Sequence, residues 1–178
     1  MLVAAFLAFA GLCLFVNGVR LYYSEGHHAS RLVDAKDAAI VNLFTAVLGF
    51  ICMSHILNPA NSTVYSPLSA IYLGLFALTY FWVGVNAFTG SDGRALGWYS
   101  LVVACIAVPA AITNLSLAER IFDYWQVLSW LSWAVLWFMF FLLLVLNKPI
   151  ARLTGMVSAV QGVLTALLPA LLYFWGVI

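Results

Sequence analysis

The chain is divided by its few charged residues rather than by any periodicity. Asp, Glu, Lys and Arg are absent from residues 1–19, 38–91, 95–118, 124–147 and 153–178. A helix needs about 20 mostly apolar residues to cross the hydrocarbon core of a bilayer. The stretch 38–91 is long enough for two such helices, and the turn formers Asn58-Pro59-Ala60-Asn61-Ser62 divide it. The pattern predicts an all-α integral membrane protein, a single domain over residues 1–178. Its six transmembrane helices are expected at about 2–22, 38–57, 67–88, 97–115, 125–146 and 153–176.

Composition supports this reading. Hydrophobic residues make up 66% of the chain and charged residues 7%, where a soluble domain carries roughly 25% charged. Ala8-Phe9-Ala10 has the form of a signal-peptide cleavage site, but no Lys or Arg precedes it, so a retained first span is expected. Arg20, Arg31, Lys36, Arg94, Lys148 and Arg152 flank the first, third and fifth connections, and Arg120 alone lies on the other side. The positive-inside rule then places connections one, three and five in the cytoplasm and both termini outside.

The absence of charge from the spans counts against functions that depend on it. Ion pumps, voltage sensors and proton-coupled carriers place ionisable groups within the membrane. Here Glu25, Asp34, Asp37, Asp92, Glu119 and Asp123 all fall in predicted connections, and His55 is the one histidine close to a span. Glu25, His27 and His28 sit together in a polar connection, but nothing nearby completes a metal's ligand set. Cys13, Cys52 and Cys105 fall in spans without metal-ligand spacing and read as small buried residues. No catalytic triad, phosphate loop or nucleic-acid-binding surface is present, so neither an enzyme nor a bound cofactor or metal is expected.

The polar and aromatic positions that remain are informative. Trp130, Trp133 and Trp137, at i, i+3 and i+7, share one helix face, and Gln126 extends it. Trp98, Trp125 and Trp175 lie at span ends, where tryptophan ordinarily anchors the interface. Trp133 and Trp137 are too deep for that role and read as the wall of a narrow slot. Candidate partners are Leu7, Leu14 and Asn17 in the first span, Leu78, Trp82 and Asn86 in the third, and Gln161 and Thr165 with Ser158 in the sixth. Asn42 and Thr45 fit interhelical hydrogen bonding better. Pro109 and Pro169 are expected to disturb the fourth and sixth spans. Flat rings with a few neutral amides suit a small planar amide. An ion would lose far more on dehydration than such groups return.

Several segments together resemble the bacterial amide/urea channel family, AmiS/UreI, over nearly the full length. They are Asn17-Gly18, Leu78-Thr79-Tyr80-Phe81-Trp82 with Asn86, Gly97-Trp98-Tyr99-Ser100-Leu101, the run from Trp130 to Trp137, and Leu164-Thr165-Ala166 before Pro169. The resemblance implies a hexameric ring with one pore per protomer and lipid at its centre. It also implies a bacterial inner-membrane protein working with a cytoplasmic urease or amidase. Trp130, Trp133 and Trp137 would line the pore with Leu7 and Leu14. Leu78 stands where the family usually has phenylalanine, and Trp82 where the acid-gated urea channel has tyrosine. Gln161 takes the place of that channel's glutamate, and the Gly90–Gly97 connection resembles amide-associated members. The expected function is passive passage of urea or short aliphatic amides. An ion-coupled small-solute carrier and a non-transporting membrane scaffold are the alternatives.

Overall fold

A computed structural model of the chain describes residues 1–24, 33–61, 63 and 66–178. Glu25, His27, His28 and Arg31 lie outside the described residues. The helices are α1 (Leu2–Tyr22), α2 (Ala35–Leu57), α3 (Ser66–Thr89), α4 (Arg94–Ser116) and α5 (Ile121–Leu144). A sixth span combines α6 (Ala151–Gln161), a π-helical turn (Gly162–Leu167) and α7 (Leu168–Phe174). Six spans of 21–24 residues are long and apolar enough to cross a membrane; at 1.5 Å per residue they measure about 32–36 Å.

Four spans begin two to four residues earlier than the charge pattern predicts, and in α2, α4 and α5 polar groups at the start cap the helix instead of ending it. Asp34 accepts a hydrogen bond from Lys36 N at 2.7 Å and starts α2. Asp92 accepts from Arg94 N at 3.0 Å, and Gly93, at φ 76°, makes the turn into α4. Asp123, in the first turn of α5, accepts from the backbone N–H groups of Arg120 (2.8 Å) and Glu119 (3.1 Å). Each carboxylate satisfies N–H groups that a helix start leaves unpaired.

The bundle consists of three tight pairs. α2 packs along α3, α4 along α5, and α1 along the sixth span, whereas α3 meets α4 and α5 meets α6 only sparsely. Glycine accounts for the α1 contact. Gly11 and Gly18 on α1 face Gly162 and Gly155 across an antiparallel seam. A methyl group on Gly18 would lie 2.6 Å from the Gly155 carbonyl, and one on Gly11 would lie 2.6 Å from that of Gly162. Close backbone approach at small residues is how helices gain packing energy in lipid, where the hydrophobic effect supplies none.

A buried polar knot ties α1 to α2. Asn17 Nδ2 donates to Asn42 Oδ1 at 2.9 Å, and Asn42 Nδ2 donates back to Asn17 Oδ1 at 2.8 Å and to Ala38 O at 2.8 Å. Cys13 Sγ adds a 3.2 Å contact to the same Asn42 oxygen, and Thr45 Oγ1 donates to Phe9 O at 3.4 Å. Asn42 and Thr45 thus join helices, as expected. Asn17 does the same. α4 runs unbroken through Pro109, whereas the sixth span changes to a π turn just before Pro169. Proline has no N–H for the carbonyl four residues back, and Leu168 N–H reaches Val163 O, five residues away.

Candidate functional site

The sparse contacts of α3 with α4 and of α5 with α6 leave internal space, and aromatic rings fill most of it. On α3, Tyr72, Phe76 and Tyr80 recur at i, i+4 and i+8 and share a face. Opposite them α5 presents Trp130, Trp133 and Trp137. Phe76 is the centre of this arrangement, with ring centroids 6.0, 4.8 and 4.7 Å from the three indoles in that order. Tyr72 lies 4.9 Å from Trp130, and Trp130 lies 5.3 Å from Trp133. The Phe76–Trp133 and Trp130–Trp133 pairs are edge-to-face, the arrangement favoured by ring quadrupoles.

Two cavities flank this cluster. The larger, about 640 Å³, has His55, Asn61, Asn114 and Gln126 among its walls and reaches Phe76, Trp133 and Thr165. The smaller, about 30 Å³, is lined by Leu14, Phe76, Thr79, Tyr80, Trp133, Leu136, Trp137 and Phe140. Phe76 and Trp133 belong to both walls, so these two rings form the partition between the cavities. Among the described residues, no Asp, Glu, Lys or Arg lines either one. No group of three or more His, Cys, Asp or Glu that could hold a metal occurs among them either.

The polar groups in the walls are largely committed to protein partners. Trp133 Nε1 donates to Thr165 Oγ1 at 2.8 Å, and Thr165 donates to the Gln161 carbonyl at 2.7 Å. Tyr80 OH donates to Ala10 O at 3.4 Å, and Ser129 Oγ to Trp125 O at 2.8 Å. Asn61 Nδ2 donates to His55 O at 3.3 Å, with His55 Nδ1 3.4 Å away.

The sequence-derived candidates divide into two groups. Leu7, Trp130, Trp133 and Thr165 line the larger cavity, and Leu14, Trp133 and Trp137 the smaller. Asn17, Leu78, Trp82, Asn86 and Gln161 line neither. Asn17 is paired with Asn42. Leu78 lies two residues, about 200°, around α3 from Phe76 and is exposed on the outside. Trp82 packs on Tyr99 of α4, at 5.7 Å between ring centroids. Asn86 lies two turns beyond Leu78 on that same displaced stripe. Gln161 Nε2 donates to Ser132 O at 2.9 Å; its buried Oε1 has no hydrogen-bond partner among the described residues. Trp98 and Trp175 are exposed, as interface anchors are, while Trp125 also lines the larger cavity. Phe76 was missed by sequence reasoning. The aromatic stripe Tyr72, Phe76, Tyr80 was readable by the spacing that picked out the tryptophans.

Comparison with known proteins bears on this geometry. Residues 2–177 match the family model described as AmiS/UreI family transporter. A Rhodococcus erythropolis protein, provisionally named transporter protein AmiS2, is 31% identical over 172 residues, covering 96% of this chain and 78% of that protein. The acid-activated urea channel of Helicobacter pylori is 31% identical over 195 residues, covering 92% of this chain and 96% of the channel. The crystal structure of the Helicobacter pylori urea channel superposes with a TM-score of 0.80 at 30% identity, covering 98% of this chain and 97% of that one.

Proposed function

The chain belongs to the AmiS/UreI family of transporters, and on that premise we propose that it conducts urea and short aliphatic amides passively through the two cavities. As a family member it is a channel-type transporter and not an enzyme. The observation that carries the proposal is the chemistry of the walls: aromatic rings and neutral polar groups, with no charged side chain lining either cavity among the described residues. An ion would have to shed its hydration shell without a counter-charge, which costs several kcal/mol or more. A neutral amide loses only a few hydrogen bonds. His55, Asn61, Asn114 and Gln126 in the larger cavity can replace some of them before the solute meets Phe76 and Trp133.

Passage then requires those two rings to move. The smaller cavity has the volume of about one water molecule in the liquid, so an amide enters it only as Phe76 turns aside. Ring and rotamer motions are fast enough for this to occur within each transit. In this reading Leu7, Leu14, Trp130, Trp133, Trp137 and Thr165 line the path with Phe76, and Gln161 supports it from behind.

The basic residues orient the protein with both termini outside the bacterial inner membrane. The larger cavity, which includes residues at the start of α1 and the end of α2, would then open outward. The broad apolar exteriors of α2, α4 and α5 suit lipid and sister protomers in a hexameric ring, and a cytoplasmic urease or amidase would draw the solute inward. Stopped-flow permeability of proteoliposomes to urea, acetamide and butyramide tests the function. Flux proportional to concentration and insensitive to ionophores is expected. Saturation at low concentration with ionophore sensitivity would indicate a coupled carrier, and permeability equal to that of protein-free liposomes would indicate a scaffold.

A further inference from the structure

Among the described residues, Trp133 is the one member of the tryptophan face whose indole donates a hydrogen bond to another side chain. The direction of that bond is fixed by chemistry. An indole nitrogen can only donate, so Thr165 Oγ1 accepts, and the threonine's own hydrogen goes to the Gln161 carbonyl. That carbonyl immediately precedes the π turn Gly162–Leu167. Such turns occur often at functional sites. Gln161 also holds the α5 backbone beside Trp133, through Nε2 to Ser132 O at 2.9 Å. On its other side the indole stands edge-to-face with Phe76, at an interplanar angle of 80°. Trp133 is therefore held from the sixth span and from α3 at the partition between the cavities.

We propose that Thr165 is a positioning residue that sets size selection: its hydroxyl, oriented by the Gln161 carbonyl, holds the Trp133 indole against Phe76 and so keeps the partition narrow. The inference rests on the channel reading above. Without the hydroxyl the indole is free to turn, the partition widens, and a bulky amide gains more than urea does. The net strength of one neutral hydrogen bond corresponds to roughly a two- to tenfold change in the ratio of the two permeabilities.

The test compares Thr165→Val, Thr165→Ser, Trp133→Phe and the Thr165→Val/Trp133→Phe double variant in proteoliposomes, reading the urea-to-butyramide permeability ratio. Ultraviolet resonance Raman difference spectra against Trp133→Phe read the indole hydrogen bond directly. Thr165→Val should lose the bond and lower the ratio about two- to tenfold, while Thr165→Ser keeps both. In the Trp133→Phe background, Thr165→Val should have little further effect, since the two residues act as one unit. A wild-type ratio in Thr165→Val with the bond lost would overturn the proposal. A Thr165→Ser ratio as low as that of Thr165→Val, or full additivity in the double variant, would do the same. If Thr165→Val fails to assemble, a wild-type ratio in Trp133→Phe overturns it. Wild-type flux equal to that of protein-free liposomes defeats the channel reading instead.

Discussion

Replacing Phe76 by alanine removes the ring shared by both cavities. Phe76 makes three ring contacts, at 6.0, 4.8 and 4.7 Å to Trp130, Trp133 and Trp137. At about 0.5–1.5 kcal/mol per aromatic pair, the ring contributes roughly 2–4 kcal/mol of packing, and its loss should lower the melting temperature of the detergent-solubilised protein. The same contacts resist a passing solute. Turning Phe76 aside breaks the two closer ones, a barrier of about 1–3 kcal/mol, and removing the ring should speed passage by roughly five- to 150-fold for solutes that require its full displacement. Butyramide should therefore gain at least about fivefold in Phe76→Ala proteoliposomes, and urea, which needs less clearance, a smaller factor. Phe76→Leu should lie between. Stopped-flow light scattering on matched amounts of reconstituted protein reads both solutes. A Phe76→Ala protein that assembles normally yet keeps the wild-type urea-to-butyramide ratio would refute the partition as the selective element.

Three further outcomes are expected. Gly155→Ala drives a methyl group into the Tyr22 backbone and to 2.7 Å from the Gly18 carbonyl, so thermal stability should fall by about 1–3 kcal/mol, more than for Gly90→Ala. Among the described residues nothing crowds the Gly90 site, and the cost there comes from its positive φ. Planar-bilayer recordings of the purified protein should show no unitary ionic currents, because the described cavity walls carry no Asp, Glu, Lys or Arg. Urea flux should change little between external pH 5 and 8. Among the described residues no Asp, Glu, Lys or Arg lines either cavity; a several-fold rise on acidification that Trp125→Ala preserves and His55→Ala abolishes would contradict this.

The six spans were legible because charge and turn formers mark their ends, and the short errors at the starts of α2, α4 and α5 came from capping carboxylates such as Asp34 and Asp123. The tryptophan face of α5 was legible because three large rings at helical spacing have little alternative. The rotation of α3 was not. A membrane helix is apolar all round, so hydrophobic periodicity no longer distinguishes inside from outside. Leu78, Trp82 and Asn86 formed as regular a stripe as Tyr72, Phe76 and Tyr80, and packing against α5 decides between them. The Thr165–Trp133 bond could not be read either, since it joins residues 32 positions apart across two helices. The glycine seam was readable in principle: Gly11 and Gly18, like Gly155 and Gly162, are seven residues apart, the spacing that keeps two positions on one face.

That seam also sets an order of assembly. It joins α1 to a span made much later, and the Arg152–Tyr22 hydrogen bond at its end closes a loop of 130 residues. The α2–α3 and α4–α5 hairpins join sequence neighbours and can form as each pair enters the bilayer. Until the ribosome has delivered α6, α1 has its glycine groove bare to lipid and the wall behind Leu14 is missing. Contacts distant in sequence are the slow ones to form, and a chain stalled before residue 151 has two finished hairpins and an open bundle.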